Sequence, residues 1–337
     1  MKRVLTIKLK PVFLLLFMMT IVSTTIFHGC AAERDSSLKS LRVGMNNWPG
    51  YAIALYAKDA GLFEKRGLKV ELVRFNNQQD NIRATIRGSL DASFVPLWEA
   101  MQVDPGNDRP AYLMVADISY GSDGIVTRPE VKAIADLRGK TVGAKLGTVS
   151  HLILLEALKA SNLKPSDVEI KDVSNETAVQ LLKQGQIDAA VVWEPLLSQA
   201  AKDMGGKIIF TTKDTDSLVI DGLATRASFA DQHQAEMTQF ILAWFDTIHA
   251  VETRPDEVFE NVARQLGQTK ESFKQDYSGL KKGDITLNQR MFDGRLQAAK
   301  QEIIQLLQAD PRHRQVIRKD IEINNQPMMA AIKAWKP

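Results

Sequence analysis

The chain has 337 residues, of which 45% are hydrophobic, 25% charged and 7% aromatic, with 20 Gly and 12 Pro. That balance is ordinary for a globular protein of roughly two domains, and it excludes collagen-like, low-complexity and wholly disordered chains; a single long apolar run excludes a polytopic membrane protein. The formal charge of +3 becomes −1 once the leader cations Lys2, Arg3, Lys8 and Lys10 are set aside, so the remainder has no phosphate-tracking surface and no nucleic-acid partner is expected. One cysteine excludes an internal disulfide framework and a Cys-rich metal site.

Residues 1–10 are basic, and 11–27 (PVFLLLFMMTIVSTTIF) are apolar or small. Small residues follow at Gly29-Cys30-Ala31-Ala32. This is the order of a secretory signal, so residues 1–29 are read as a signal peptide. The only cysteine, Cys30, follows a glycine at the end of that run. It resembles a bacterial lipobox, in which the cysteine is lipidated, although Phe27 and His28 depart from the pattern. Cleavage after Ala32, or an uncleaved N-terminal anchor, fits the same run. Each reading puts the folded part in the periplasm or on the outer face of the cell membrane, an oxidising place suited to a chain without further thiols. Residues 30–40 are a short polar tether.

From residue 41 the pattern alternates strand and helix. A strand at 41–45 precedes a helix at 52–60 that ends near Gly61; a strand at 69–75 precedes a helix at 79–87 stopped by Gly88; a buried strand follows at 91–95. After a strand at 111–116, the order recurs: strand 140–144, helix 149–160, strand 168–173, helix 176–184, a stop at Gly185, strand 188–192. The recurrence is visible in the residues themselves. Gly88-Ser-Leu-Asp-Ala-Ser-Phe-Val95 matches Gly185-Gln-Ile-Asp-Ala-Ala-Val-Val192, and each tract runs into a Trp-Glu pair, Trp98-Glu99 and Trp193-Glu194. An offset of 97 residues is too long for a solenoid and fits two similar α/β lobes with mostly parallel sheets flanked by helices. Residues 228–252 and 288–308 read as long amphipathic helices, and Pro255 as the first turn of another.

In open α/β sheets ligands sit beyond the carboxyl ends of strands, which directs attention to the loops there. Asn47, Trp48 and Tyr51 follow the first strand, where Pro49 and Gly50 fix a turn; the aromatics are read as ligand walls, or else as a cover for the helix start. Asn77 follows the second strand and serves a ligand or caps a helix. Trp98 follows the third and lines a site or packs in the core. Tyr120 and Asp123 lie in the loop after residue 116, where Asp123 reaches a cleft or satisfies the turn. Thr148 and Ser150 open an apolar helix, a place where free N–H groups and the helix dipole favour an anion, although either is also a plain N-cap. Trp193 and Glu194 follow the strand at 188–192, and Asp221 lies in a strand returning to the first lobe, as a ligand contact or a hinge hydrogen bond.

Several of these motifs together resemble ABC-importer solute-binding proteins, in particular the nitrate/sulfonate/taurine-binding and thiamine-pyrimidine-precursor-binding group. The residues that carry the resemblance are Val43-Gly44, Trp48-Pro49-Gly50-Tyr51, Gly61-Leu62-Phe63-Glu64-Lys65-Arg66-Gly67-Leu68, Gly88 with Asp91-Ala92, Asp136-Leu137-Arg138-Gly139-Lys140, and Gly185 with Asp188-Ala189. They span roughly 41–265 and mark the fold more than the ligand. The resemblance implies a two-lobed type II periplasmic-binding-protein fold. Lobe one is then 41–126 with 219–337, lobe two is 127–218, and hinges lie near 124–128 and 217–222. It implies a monomer that captures a small organic solute, taurine- or sulfonate-like, and delivers it to ABC permease subunits with an ATPase on the cytoplasmic side, held near the membrane by lipid on Cys30. A pyrimidine precursor or a nitrate-type anion is the alternative cargo. No cofactor is expected.

Other classes are weaker on the residues. His249-x-x-Glu252 is spaced for one helix face but lacks a second ligand pair, so no metal site is expected. The chain has no Gly-x-Ser-x-Gly, Gly-x-x-x-x-Gly-Lys-Ser/Thr or His-Glu-x-x-His, and no enzyme is expected. A sensory lipoprotein without transport is the alternative of another class.

Overall fold

The computed structural model describes residues 38–104, 106, 108–215, 217–309 and 317–337. The signal peptide, Cys30 and the tether up to residue 37 lie outside them. Residues 39 and 40, expected in the tether, already belong to a strand.

Two mixed sheets form the two lobes. The first contains β1 (Lys39–Met45), β2 (Leu68–Arg74), β3 (Ala92–Pro96), β4 (Pro110–Ser119), β10 (Ile220–Arg226), β11 (Leu280–Lys282) and β12 (Glu322–Ile323). Its order is β11-β4-β10-β3-β1-β2, with β12 beside β4. The second contains β5 (Asp123–Thr127), β6 (Thr141–Ala144), β7 (Glu169–Asp172), β8 (Ala189–Trp193) and β9 (Lys207–Thr211), in the order β7-β6-β8-β5-β9. In each sheet three strands run parallel, and the next two pair antiparallel. The sheets are therefore less parallel than the sequence pattern suggests, because β10 in the first sheet and β5 in the second run against the βαβ core. β3 and β4 are buried along their whole length, which is why they read as continuous apolar runs.

The internal repeat has a structural cause. Asp91 accepts from the backbone N–H of Arg42 at 2.7 Å, and Asp188 accepts from that of Thr141 at 3.0 Å. Asp91 thus ties the entry of β3 to β1, and Asp188 ties the entry of β8 to β6. Gly88 and Gly185, at φ +84° and +71°, end the preceding helices in the left-handed conformation that glycine adopts without strain.

The core of lobe one lies where helix Pro49–Asp59 is pinned between the sheet and helix Gln234–Thr253. Phe94 stacks on Tyr51 at 5.3 Å and meets Trp244 at 5.3 Å. Two long helices expected from the sequence are interrupted. The first breaks at His233, whose ring stacks on Phe229 at 4.2 Å. The second begins as Ile285–Arg290 and passes through a turn with Gly294 at φ +91° before resuming as Leu296–Ala309. Pro255 does open the helix Pro255–Leu266.

The chain crosses between the sheets at 120–122 and again at 212–219. The first crossing precedes the expected hinge at 124–128, because all of β5 pairs with β8 and β9. The two crossings are tied together: the Ser119 and Thr212 hydroxyls are 2.8 Å apart, and Thr212 also accepts from the N–H of Gly121 at 2.7 Å.

Candidate functional site

Beside these crossings a narrow cleft opens between the sheets, whose empty space of about 290 Å³ includes open solvent at its mouth. Lobe one contributes Asn46, Trp48, Tyr51, Gln78, Pro96 and Glu99; lobe two contributes Val149 and Trp193; Asp123, Val219 and Asp221 line it beside the crossings. The sequence Trp48-Pro49-Gly50-Tyr51 builds one wall. Asn46 accepts from the Trp48 N–H at 2.9 Å, and Pro49 starts the helix where no backbone donor is needed. Trp48 then donates its indole N–H to both oxygens of Asp117, at 3.1 and 3.3 Å. Gly50 is required beneath that carboxylate, because a Cβ there would overlap Asp117. Tyr51 donates its hydroxyl to Asp221.

Four buried carboxylates surround this wall. Glu99, Asp117, Asp123 and Asp221 are each at most 3% exposed, and none of them has an ion-pair partner among the described residues. Burial pushes Glu99 up to about 8; the Val149 N–H opposes that rise and the Asp123 charge adds to it. Burial pushes Asp123 to about 7, against a hydrogen bond from Ser119 and with the help of Glu194. Asp117 and Asp221 are raised by burial; the Asp117 charge raises Asp221 further. Among the described residues no Lys, Arg or His lines the cleft.

The residues singled out from the sequence divide. Trp48, Tyr51, Asp123, Trp193 and Asp221 line the cleft. Asn47 and Asn77 are exposed and do not; their neighbours Asn46 and Gln78 take those places. Asn77 instead caps helix Gln78–Ile86 through the N–H of Gln79 at 2.8 Å. Trp98 is in the core, edge-on to His151. Tyr120 is 41% exposed, with the Lys281 ammonium over its ring. Thr148 donates to the carbonyl of Lys145 at 2.8 Å, and Ser150 donates to Asn175 at 3.1 Å, so neither hydroxyl faces the cleft. Glu194 caps the helix that follows it, accepting from the N–H of Ser198 at 3.0 Å. The helix start at Val149, expected to favour an anionic ligand, has a protein anion in place: Glu99 accepts its N–H at 3.3 Å. Outside the cleft, His249 packs on Trp335, and Glu252 pairs with Lys282 at 2.6 Å, so that helical pair has ordinary packing partners.

Comparison with known proteins follows the same lines. Residues 34–266 match the sequence model of the NMT1-like family. The chain belongs to that family. A relative in Brucella abortus (strain 2308), provisionally named a binding protein, is 29% identical over 172 residues. The match covers 50% of this chain and 52% of that one, so the chain spans about half the length of the curated relatives of this kind. The taurine-binding periplasmic protein of Escherichia coli (strain K12) is 27% identical over 231 residues, 66% of this chain and 71% of its own. Among solved structures, the periplasmic aliphatic sulphonate binding protein SsuA from Escherichia coli shares the fold of this NMT1-like chain, with a TM-score of 0.64 at 20% identity over 77% of this chain and 93% of that one.

Proposed function

We propose that this NMT1-like protein is the extracytoplasmic solute-binding component of an ABC importer. It would capture a small organic solute, taurine- or sulfonate-like in size, between its lobes and present it to a membrane permease with a cytoplasmic ATPase. One observation carries the reading: the cleft is lined by both sheets and by the segments that join them, so a bound molecule touches both lobes at once. Such a molecule favours the closed arrangement over the open one by its difference in affinity for the two. The names of the relatives, a taurine-binding periplasmic protein and a sulphonate binding protein, support the same reading. Trp48, Tyr51 and Trp193 serve as walls, and Asp123 and Asp221 as polar anchors. The protein binds its solute without transforming it, and lipid on Cys30 would keep it near the permease.

A thermal-shift panel of taurine, alkanesulfonates, nitrate, aminopyrimidines and small amino acids tests this, because a ligand of the folded state raises Tm by mass action. A rise with one class that is lost in Trp193→Ala is the expected result. Turnover of the bound compound, or flat melting across the panel, would count against it.

A further inference from the structure

We propose that the solute is a small organic cation, an ammonium or amidinium, held between the free carboxylate oxygens of Glu99, Asp123 and Asp221; this rests on the solute-binding reading above. Each of these residues keeps one oxygen without any hydrogen-bond partner: Glu99 Oε2, Asp123 Oδ2 and Asp221 Oδ2. All three residues are at least 97% buried, with exposures of 3%, 2% and 2%. All three line the same cleft. A buried carboxylate oxygen with no donor is costly, and three around one cavity leave acceptors that a charged hydrogen-bond donor would satisfy.

The surroundings supply no positive charge: among the described residues no Lys, Arg or His lines the cleft, and its side-chain N–H groups, those of Asn46, Gln78 and the two tryptophans, are neutral. The backbone donor nearest to being an anion site, the N–H of Val149, is already given to Glu99 at 3.3 Å. A nitrate or a simple sulfonate would therefore meet protein carboxylates and no cation to balance them. A metal ion is a poor fit as well, since no group of three or more His, Cys, Asp or Glu among the described residues could hold one. An ammonium or amidinium spreads two or more N–H donors over several ångströms, which matches acceptors that do not converge on a point. The faces of Trp48 and Trp193 in the same walls suit a cation with an apolar body. On this inference taurine would place its ammonium among the carboxylates and its sulfonate away from them.

Isothermal titration with probes matched in size and different in charge tests the inference. Benzylamine and benzamidine are compared with benzyl alcohol and benzenesulfonate, and taurine with isethionate, which has a hydroxyl where taurine has the ammonium. Binding of the cationic member of a pair at least tenfold tighter than its neutral and anionic partners is the expected result. That preference should shrink at least tenfold in Glu99→Gln and in Asp123→Asn, each checked for an intact melting transition. The wild-type comparison alone decides the matter if either variant fails to fold. Benzenesulfonate or isethionate binding as tightly as the cations would overturn the inference and leave the solute-binding reading in place. Silence from every probe would overturn it too; the solute-binding reading would then stand or fall on its own melting panel.

Discussion

Neutralising Glu99 without changing its shape should make the ligand-free protein more stable at high pH. Glu99 Oε1 accepts the Val149 N–H, which a glutamine amide oxygen also accepts, so Glu99→Gln removes the charge and keeps the contact. Burial raises the wild-type group from 4.5 to about 8. Each unit corresponds to about 1.4 kcal/mol, so ionising Glu99 in the closed cleft costs roughly 4–5 kcal/mol. The sign follows from proton linkage. The folded pKa lies above the unfolded one, so the stability is whole below about 4.5 and is lost as pH rises to about 8. Parting of the lobes rehydrates the carboxylate and caps the loss, so about 1–3 kcal/mol should be measurable. The assay is urea unfolding at pH 5, 7 and 9, on protein stripped of co-purified solute by unfolding and refolding. Wild type and Glu99→Gln should agree within about 1 kcal/mol at pH 5, and the variant should be ahead by about 1–3 kcal/mol at pH 9. Parallel pH profiles for the two proteins would refute the reasoning, because they would mean that Glu99 is not desolvated.

Other substitutions separate the wall from its supports. Gly50→Ala puts a methyl against the Asp117 carboxylate that holds the Trp48 indole, and urea unfolding should register a loss of about 1–3 kcal/mol, with a changed near-ultraviolet dichroism of tryptophan. Trp98→Ala should cost about 3–5 kcal/mol of stability, since Trp98 is 1% exposed in the core. Trp193→Ala should leave Tm within a few degrees and abolish the ligand response; the opposite pattern would interchange the roles of the two tryptophans. Asp91→Ala and Asp188→Ala should each lose about 1–2 kcal/mol, because each aspartate accepts a backbone N–H of the neighbouring parallel strand in the same way.

The fold was legible because its signals are local and occur twice. A glycine that must leave a helix with positive φ, followed by an aspartate that binds the neighbouring strand, leaves the same residues in both lobes. The site was legible only to the level of the loop. Which of two adjacent residues enters the cleft depends on a competing demand: Asn77 is taken by its helix cap, and the next residue, Gln78, lines the wall. The Trp-Glu pairs show the same limit. Trp98 stands three residues beyond Val95 and Trp193 one beyond Val192, so the same dipeptide emerges at different heights above its sheet. One tryptophan is buried in the core and the other reaches the cleft. The capture of the Val149 N–H by Glu99 joins residues 50 apart across the two lobes, and no local pattern announces it.

That contact also bears on why the cleft has so much negative charge. Closing the lobes over Glu99, Asp123 and Asp221 without a partner requires either protons or a desolvated charge. Near neutral pH both options oppose empty closure, since the proton must come from a dilute solution and the bare charge from water. A cationic solute removes the opposition by supplying the compensating charge in place of the protons. The same arrangement that makes the closed, empty cleft unfavourable then makes closure depend on cargo. A permease that reads the closed form would distinguish loaded from empty protein by this dependence, with Tyr51 and Trp48 holding Asp221 and Asp117 in place throughout.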